Sequence, residues 1–131
     1  MFQLKVTTLA LLLILTILSA CSRPHIQIDR FLVKNNTSGK IFDVRVRYEP
    51  TLRFGAVNVI LPGNYYEIVF PKRQLSAQQA VVEWRDDAGR FWSTPVALPR
   101  ESRPAITGQT AGLVYDVLPA GHVAVRLQSS E

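Results

Sequence analysis

From about residue 26 onward, turn-forming clusters recur every 8–14 residues, and nothing between them is long or periodic enough for an amphipathic helix. The segments between the clusters are short and apolar. Residues 41–49 show the pattern best: Phe42, Val44, Val46 and Tyr48 alternate with Asp43, Arg45, Arg47 and Glu49. A repeat of two is that of a strand with one face on a core and the other in water. Residues 26–34 carry Ile26, Ile28, Phe31 and Val33, with one slip of phase near Arg30 that a β-bulge explains. The cluster 35–39 (Asn-Asn-Thr-Ser-Gly) tolerates turn geometry and predicts a β-hairpin joining these two strands.

Further strands are expected at 53–61, 65–70, 80–85, 91–98, 112–118 and 122–128. Pro62-Gly63-Asn64 closes the first of these, and Pro71 stops the next. The polar stretch 72–79 has room for one helical turn. Asp86 to Arg90 and Pro119-Ala120-Gly121 read as hairpin turns, and Pro95 assigns its strand to a sheet edge or a bulge. Residues 99–104 read as an exposed connection. About seven or eight short strands at this spacing predict an all-β fold: a small antiparallel β-sandwich, immunoglobulin-like or transthyretin-like, with a small β-barrel as the alternative. No internal repeat, low-complexity tract or second domain interrupts residues 26–131.

The first twenty residues differ in kind. Lys5 is followed by an uncharged run, 6–20, rich in Leu and Ile. Some 15 residues fall short of the roughly 20 that span a bilayer as a permanent helix. A positive start, a short apolar centre and small residues at its end instead describe an export signal. Its end reads Leu18-Ser19-Ala20-Cys21, with Cys21 the only cysteine of the chain. This resembles the lipobox of bacterial lipoproteins. The resemblance implies cleavage before Cys21, a diacylglyceryl thioether on its sulfur and a fatty acyl group such as palmitate on the new N-terminus. Several acyl chains give lasting anchorage where one is marginal. Ser22 stands where Asp would favour inner-membrane retention in the enterobacterial pattern, which points to the outer membrane. The division expected is a signal peptide over 1–20, a lipidated Cys and tether over 21–25, and the sandwich over 26–131. With no second Cys there is no disulfide, so packing alone must hold the domain.

The chain carries a formal net charge of +5, mostly from Arg. An exported, tethered domain does not meet nucleic acid, so anionic headgroups or an acidic protein face are the partners such charge suits. Arg45 and Arg47, with Asp43 and Glu49 beside them, are expected to form cross-strand ion pairs of small individual worth.

Residues that carry chemistry are sparse. His25 lies in the tether and His122 opens the last strand, so local spacing gives no metal-ligand pair, and no metal site is expected. Ser93, Asp116 and His122 have no spacing that marks a triad, and no Gly-x-Ser-x-Gly or phosphate loop is present. Asp86-Asp87 sit between Arg85 and Arg90 and read as turn residues rather than as a Ca²⁺ site. The sequons at 35–37 and 36–38 read as turn as well. A binding role draws on the aromatic residues of neighbouring strands. Alternation sends one of Tyr65/Tyr66 and one of Phe91/Trp92 outward, and Tyr65, Trp84, Arg85, Arg90 and Trp92 form the candidate patch.

The expected function is non-catalytic. The chain reads as a lipid-anchored accessory or interaction protein at the periplasmic face of a bacterial outer membrane, with an envelope protein as partner, docking through a free sheet edge. Beyond the lipid on Cys21 no cofactor is expected. The alternative is a glycan- or small-ligand-binding module using the aromatic and Arg patch.

Overall fold

A computed structural model describes residues 26–48, 52–75, 77–99 and 110–129. Cys21, His25, Glu49 and the connection from residue 100 to 109 lie outside the described residues. Eight strands form: β1 (Gln27–Asn35), β2 (Ile41–Tyr48), β3 (Leu52–Ile60), β4 (Tyr65–Gln74), β5 (Gln79–Arg85), β6 (Phe91–Ala97), β7 (Thr110–Val117) and β8 (Val123–Ser129). They make two four-stranded sheets, ordered β4-β1-β7-β8 and β3-β2-β5-β6. The sheets stay separate, so the expected sandwich forms and the barrel does not. An immunoglobulin sandwich sets its first strand beside its second. Here the first strand lies between the fourth and the seventh, which leaves the transthyretin-like arrangement of the two. One ladder departs from antiparallel expectation, since β1 and β7 run parallel.

The core is built by alternation. Phe31 and Val33 of β1, Val44 and Val46 of β2, Val82 and Trp84 of β5, and Leu113 and Tyr115 of β7 all point between the sheets and are buried. Phe31 meets the edge of the Tyr115 ring, with centroids 6.1 Å apart. The slip in β1 is real: pairing with both β4 and β7 shifts between Ile28 and Arg30.

Three expectations need correction. First, β1 and β2 are not a hairpin. Residues 36–40 carry the chain from one sheet to the other, and the Asn35 amide holds the crossing by donating to the carbonyls of Gly39 (2.8 Å) and Ile60 (2.9 Å). Second, β4 runs through Pro71 to Gln74, so residues 72–74 are strand and not a helical turn. Proline is tolerated there because β4 is an edge. Third, Phe42 does not share the inner face with Val44. Asp43 adopts a positive φ of 49° and bulges β2, so Ile41 is buried while Phe42 lies opposite outward-facing Arg85.

Pro95 does lie in an edge strand, β6, and the expected hairpins at 86–90 and 119–121 form. The ladders give the sandwich two distinct ends. Ile26, Leu75, Gln79 and Ser129 lie at the end where β1 begins. The turns 36–40, 61–64, 86–90 and 118–122 all lie at the other, distal end. The nine residues of β1 separate the two by about 26 Å.

Candidate binding site at the distal loop end

The distal end is organised by Asn35, which is 0% exposed. Besides the two bonds its amide donates, its Oδ1 accepts from the Thr37 N–H (3.0 Å) and hydroxyl (2.6 Å). Its backbone N–H donates to Asn64 and its carbonyl accepts from Gly63, so one residue ties two turns together. The second turn has Pro62 followed by Gly63 at φ 78°, the combination a type II turn requires.

Between the 36–40 turn and the two hairpin loops lies a cleft of about 290 Å³. Residues 37–41, 86–88 and 118–121 wall it, and Trp84 and Trp92 line it. The rings of Trp84 and Trp92 stack with centroids 6.3 Å apart. Trp92 is held by several neighbours. Its indole N–H donates to Asp86 Oδ2 (3.0 Å), the Arg90 guanidinium lies 5.3 Å from its ring centroid, and Gly121 packs directly on its six-membered ring. Asp86 Oδ1 accepts from the N–H groups of Ala88 (3.0 Å) and Arg90 (2.9 Å). This carboxylate is therefore a fastener of its own hairpin, as expected of a turn residue.

These bonds hold the Asp86 carboxyl below the usual carboxylate range, the Trp92 bond first among the causes. A depressed value means that the stabilisation is present above the unfolded-state pKa and is lost as pH falls through the folded value. The Trp92 indole resonance is therefore expected to keep its bonded position through pH ~4, where ordinary carboxylates protonate, and to move only below it. An NMR titration in which it moves with an ordinary Asp midpoint would refute this.

The patch expected from sequence is not one surface. Trp84 is 2% exposed and belongs to the core, because alternation points it inward opposite Trp92. Trp92 and Arg90 stay together, with the half-buried ring lining the cleft and Gly121 packed on its six-membered part. Arg85 points out of the other face of its sheet, where Asp43 accepts from its Nε (2.9 Å) and Nη2 (2.6 Å). Tyr65 sits on the other sheet, at the start of edge strand β4. Of the pair Phe91/Trp92 the outward ring is Phe91, 61% exposed, and Tyr65, 60% exposed, is outward of its pair.

The cross-strand ion pairs expected of β2 form for two of its charges. Arg47 pairs with Glu83 and Asp43 with Arg85, both across to β5, while no partner for Arg45 is seen among the described residues. Asp116 is engaged by Arg126 (3.2 Å) and Asn36 (3.1 Å). Among the described residues no three His, Cys, Asp or Glu side chains converge.

Sequence reasoning missed where the exposed apolar side chains collect. Val59, Leu61, Tyr65, Tyr66 and Phe91 are exposed and sit next to distal turns; of the large exposed hydrophobic residues described, Val69 alone lies in mid-strand. The signal was present in the turn-flanking position of each, but only the topology shows that these turns share one end.

No protein-family model matches the chain, and no curated protein matches it. Among solved structures it is similar to the NMR structure of a protein from Eubacterium rectale. The TM-score is 0.51 at 11% sequence identity, over 79% of this chain and 90% of that one. At that identity the likeness shows the fold alone.

Proposed function

We propose that this chain is a lipid-anchored, non-catalytic interaction protein of a bacterial outer membrane, tethered at the periplasmic face through acylated Cys21 and presenting its distal end to an envelope protein. One observation carries the docking part of this reading: the exposed apolar side chains gather at the end farthest from Ile26. Exposed apolar side chains concentrated at one end of a domain are candidates for a contact site. A tether entering at Ile26 leaves that end pointing away from the bilayer. Aromatic residues such as Tyr65 and Phe91 are the side chains that anchor protein interfaces.

The test is made in a bacterial host that expresses the whole chain. Mass spectrometry is expected to find Cys21 acylated at a new N-terminus, and Cys21→Ala is expected to release the protein from the membrane fraction. Photo-crosslinkers at Leu61 and Phe91 are expected to trap a specific envelope protein that one at Gln74 does not. An unmodified sulfur with the leader still attached, or crosslinks from Gln74 alone, would overturn the proposal.

A further inference from the structure

A sandwich exposes four strand edges, and each is a template for another chain unless something blunts it. Three of the four here are blunted. β4 contains Pro71, which cannot donate to an added strand. β6 contains Pro95, paired in register with Val81, so its missing N–H faces the open side. β3 is bulged, because Arg45 pairs with Ala56 and Val46 with Phe54, leaving Gly55 as an extra residue. β8 has none of these devices: its seven residues pair with β7 without a shift, from 111/129 to 117/123, and include no proline.

The phase of that ladder shows what β8 offers. The Leu118 N–H donates to the His122 carbonyl at 2.8 Å, which makes residues 116/124, 114/126 and 112/128 the mutually bonded pairs. The N–H and C=O groups of Val123, Val125 and Leu127 therefore face away from β7, toward the edge. The side chains of the same three residues point to the core side but are only half-buried there. The edge thus presents unpaired backbone and incompletely covered apolar side chains in a single row. On the outer face the sequence runs Ala124, Arg126, Gln128; Arg126 is exposed and gives its Nε to Asp116 of β7 (3.2 Å), and the Nη end of its guanidinium is the part a partner would meet.

We propose that β8 is a docking edge which an extended segment of a partner protein joins as a fifth strand. The segment's chemistry follows from the row it meets: apolar residues at alternate positions toward the core side, and an acidic residue across from Arg126. A second copy of this chain cannot use the full length of the edge well. Antiparallel self-pairing over the whole of β8 centres on Arg126 and sets two guanidinium groups against each other, which is destabilising. This contact is separate from the distal loop end, and the two can fail independently.

The probe is a phage-displayed library of eight-residue peptides, selected against the full chain purified in detergent. Selected sequences are expected to alternate apolar and polar residues with an acid near the centre. Bound peptide is expected to slow amide exchange at Val123, Val125 and Leu127 at least about tenfold, leaving the edges of β3, β4 and β6 unchanged. Val125→Pro, whose lost N–H faces outward, is expected to abolish binding without altering the circular dichroism spectrum. Should that variant not fold, Arg126→Gln serves, and is expected to weaken acidic peptides about threefold relative to neutral ones. Selection of no alternating peptide, protection at the distal loops or at another edge, or indifference to Arg126→Gln would each overturn the proposal.

Discussion

Replacing Asn35 by aspartate is expected to destabilise the domain by about 3–5 kcal/mol at neutral pH, as an uncompensated buried charge does. The exchange is of one amide nitrogen for one oxygen, yet it reverses the sense of two bonds. The Asn35 amide donates to the carbonyls of Gly39 and Ile60; a carboxylate oxygen there would face two acceptors with nothing to donate. No water relieves the charge, because the residue is fully buried. Asn35→Ala removes the bonds without adding charge and is expected to cost about 1–3 kcal/mol. The two variants also separate by pH. Protonation of the introduced carboxylate restores one donor, so the deficit of Asn35→Asp is expected to shrink below about pH 5 while that of the alanine variant does not. Urea denaturation at neutral pH and again below about pH 5 measures both. Equal losses for the two variants at neutral pH would show that the amide does not act as described.

The second large effect is expected at Gly121. Gly121→Ala combines a side chain at φ 77°, where L-residues are strained, with a methyl group placed inside the ring of Trp92. Trp92 has little room to retreat, since Trp84, Arg90 and Asp86 hold it. A loss of about 2–4 kcal/mol is expected, with Trp fluorescence altered in the folded state. Ala120 is the contrast. It already sits at φ 60° on the exposed side of the same turn, so Ala120→Gly is expected to be neutral or to stabilise by up to about 1 kcal/mol. In thermal melts Gly121→Ala should lower the midpoint and Ala120→Gly should not, and a harmless Gly121→Ala would refute the tight packing of Trp92.

Local structure was largely readable in the sequence because its causes are local. Alternation over 41–49, the slip at Arg30, the turn residues at 86–90 and the edge placement of Pro95 each depend on a few neighbouring residues. The structure bears out the last three, and over the described side chains 41–47 it keeps the first except where Asp43 bulges the strand. What was not readable depends on partners far along the chain. Asn35 to Gly39 looks the same whether it turns within one sheet or crosses to another. The crossing is decided by β4 and β7, which take both sides of β1. Pro71 reads as a stop until β4 is known to be an edge. The residues of the candidate patch lie apart for the same reason. Tyr65 and Trp92 belong to different sheets, and the inward turn of Trp84 is set by its pairing opposite Trp92. That Arg47 and Asp43 pair across strands was readable, but that β5 supplies both partners depends on the sheet order.

The parallel ladder between β1 and β7 has a bearing on how the chain matures. The opening strand finds its last neighbour some eighty positions later, so a ribosome must deliver nearly everything before that sheet can be assembled. Loop-closure entropy of that size slows acquisition of structure and makes it concerted.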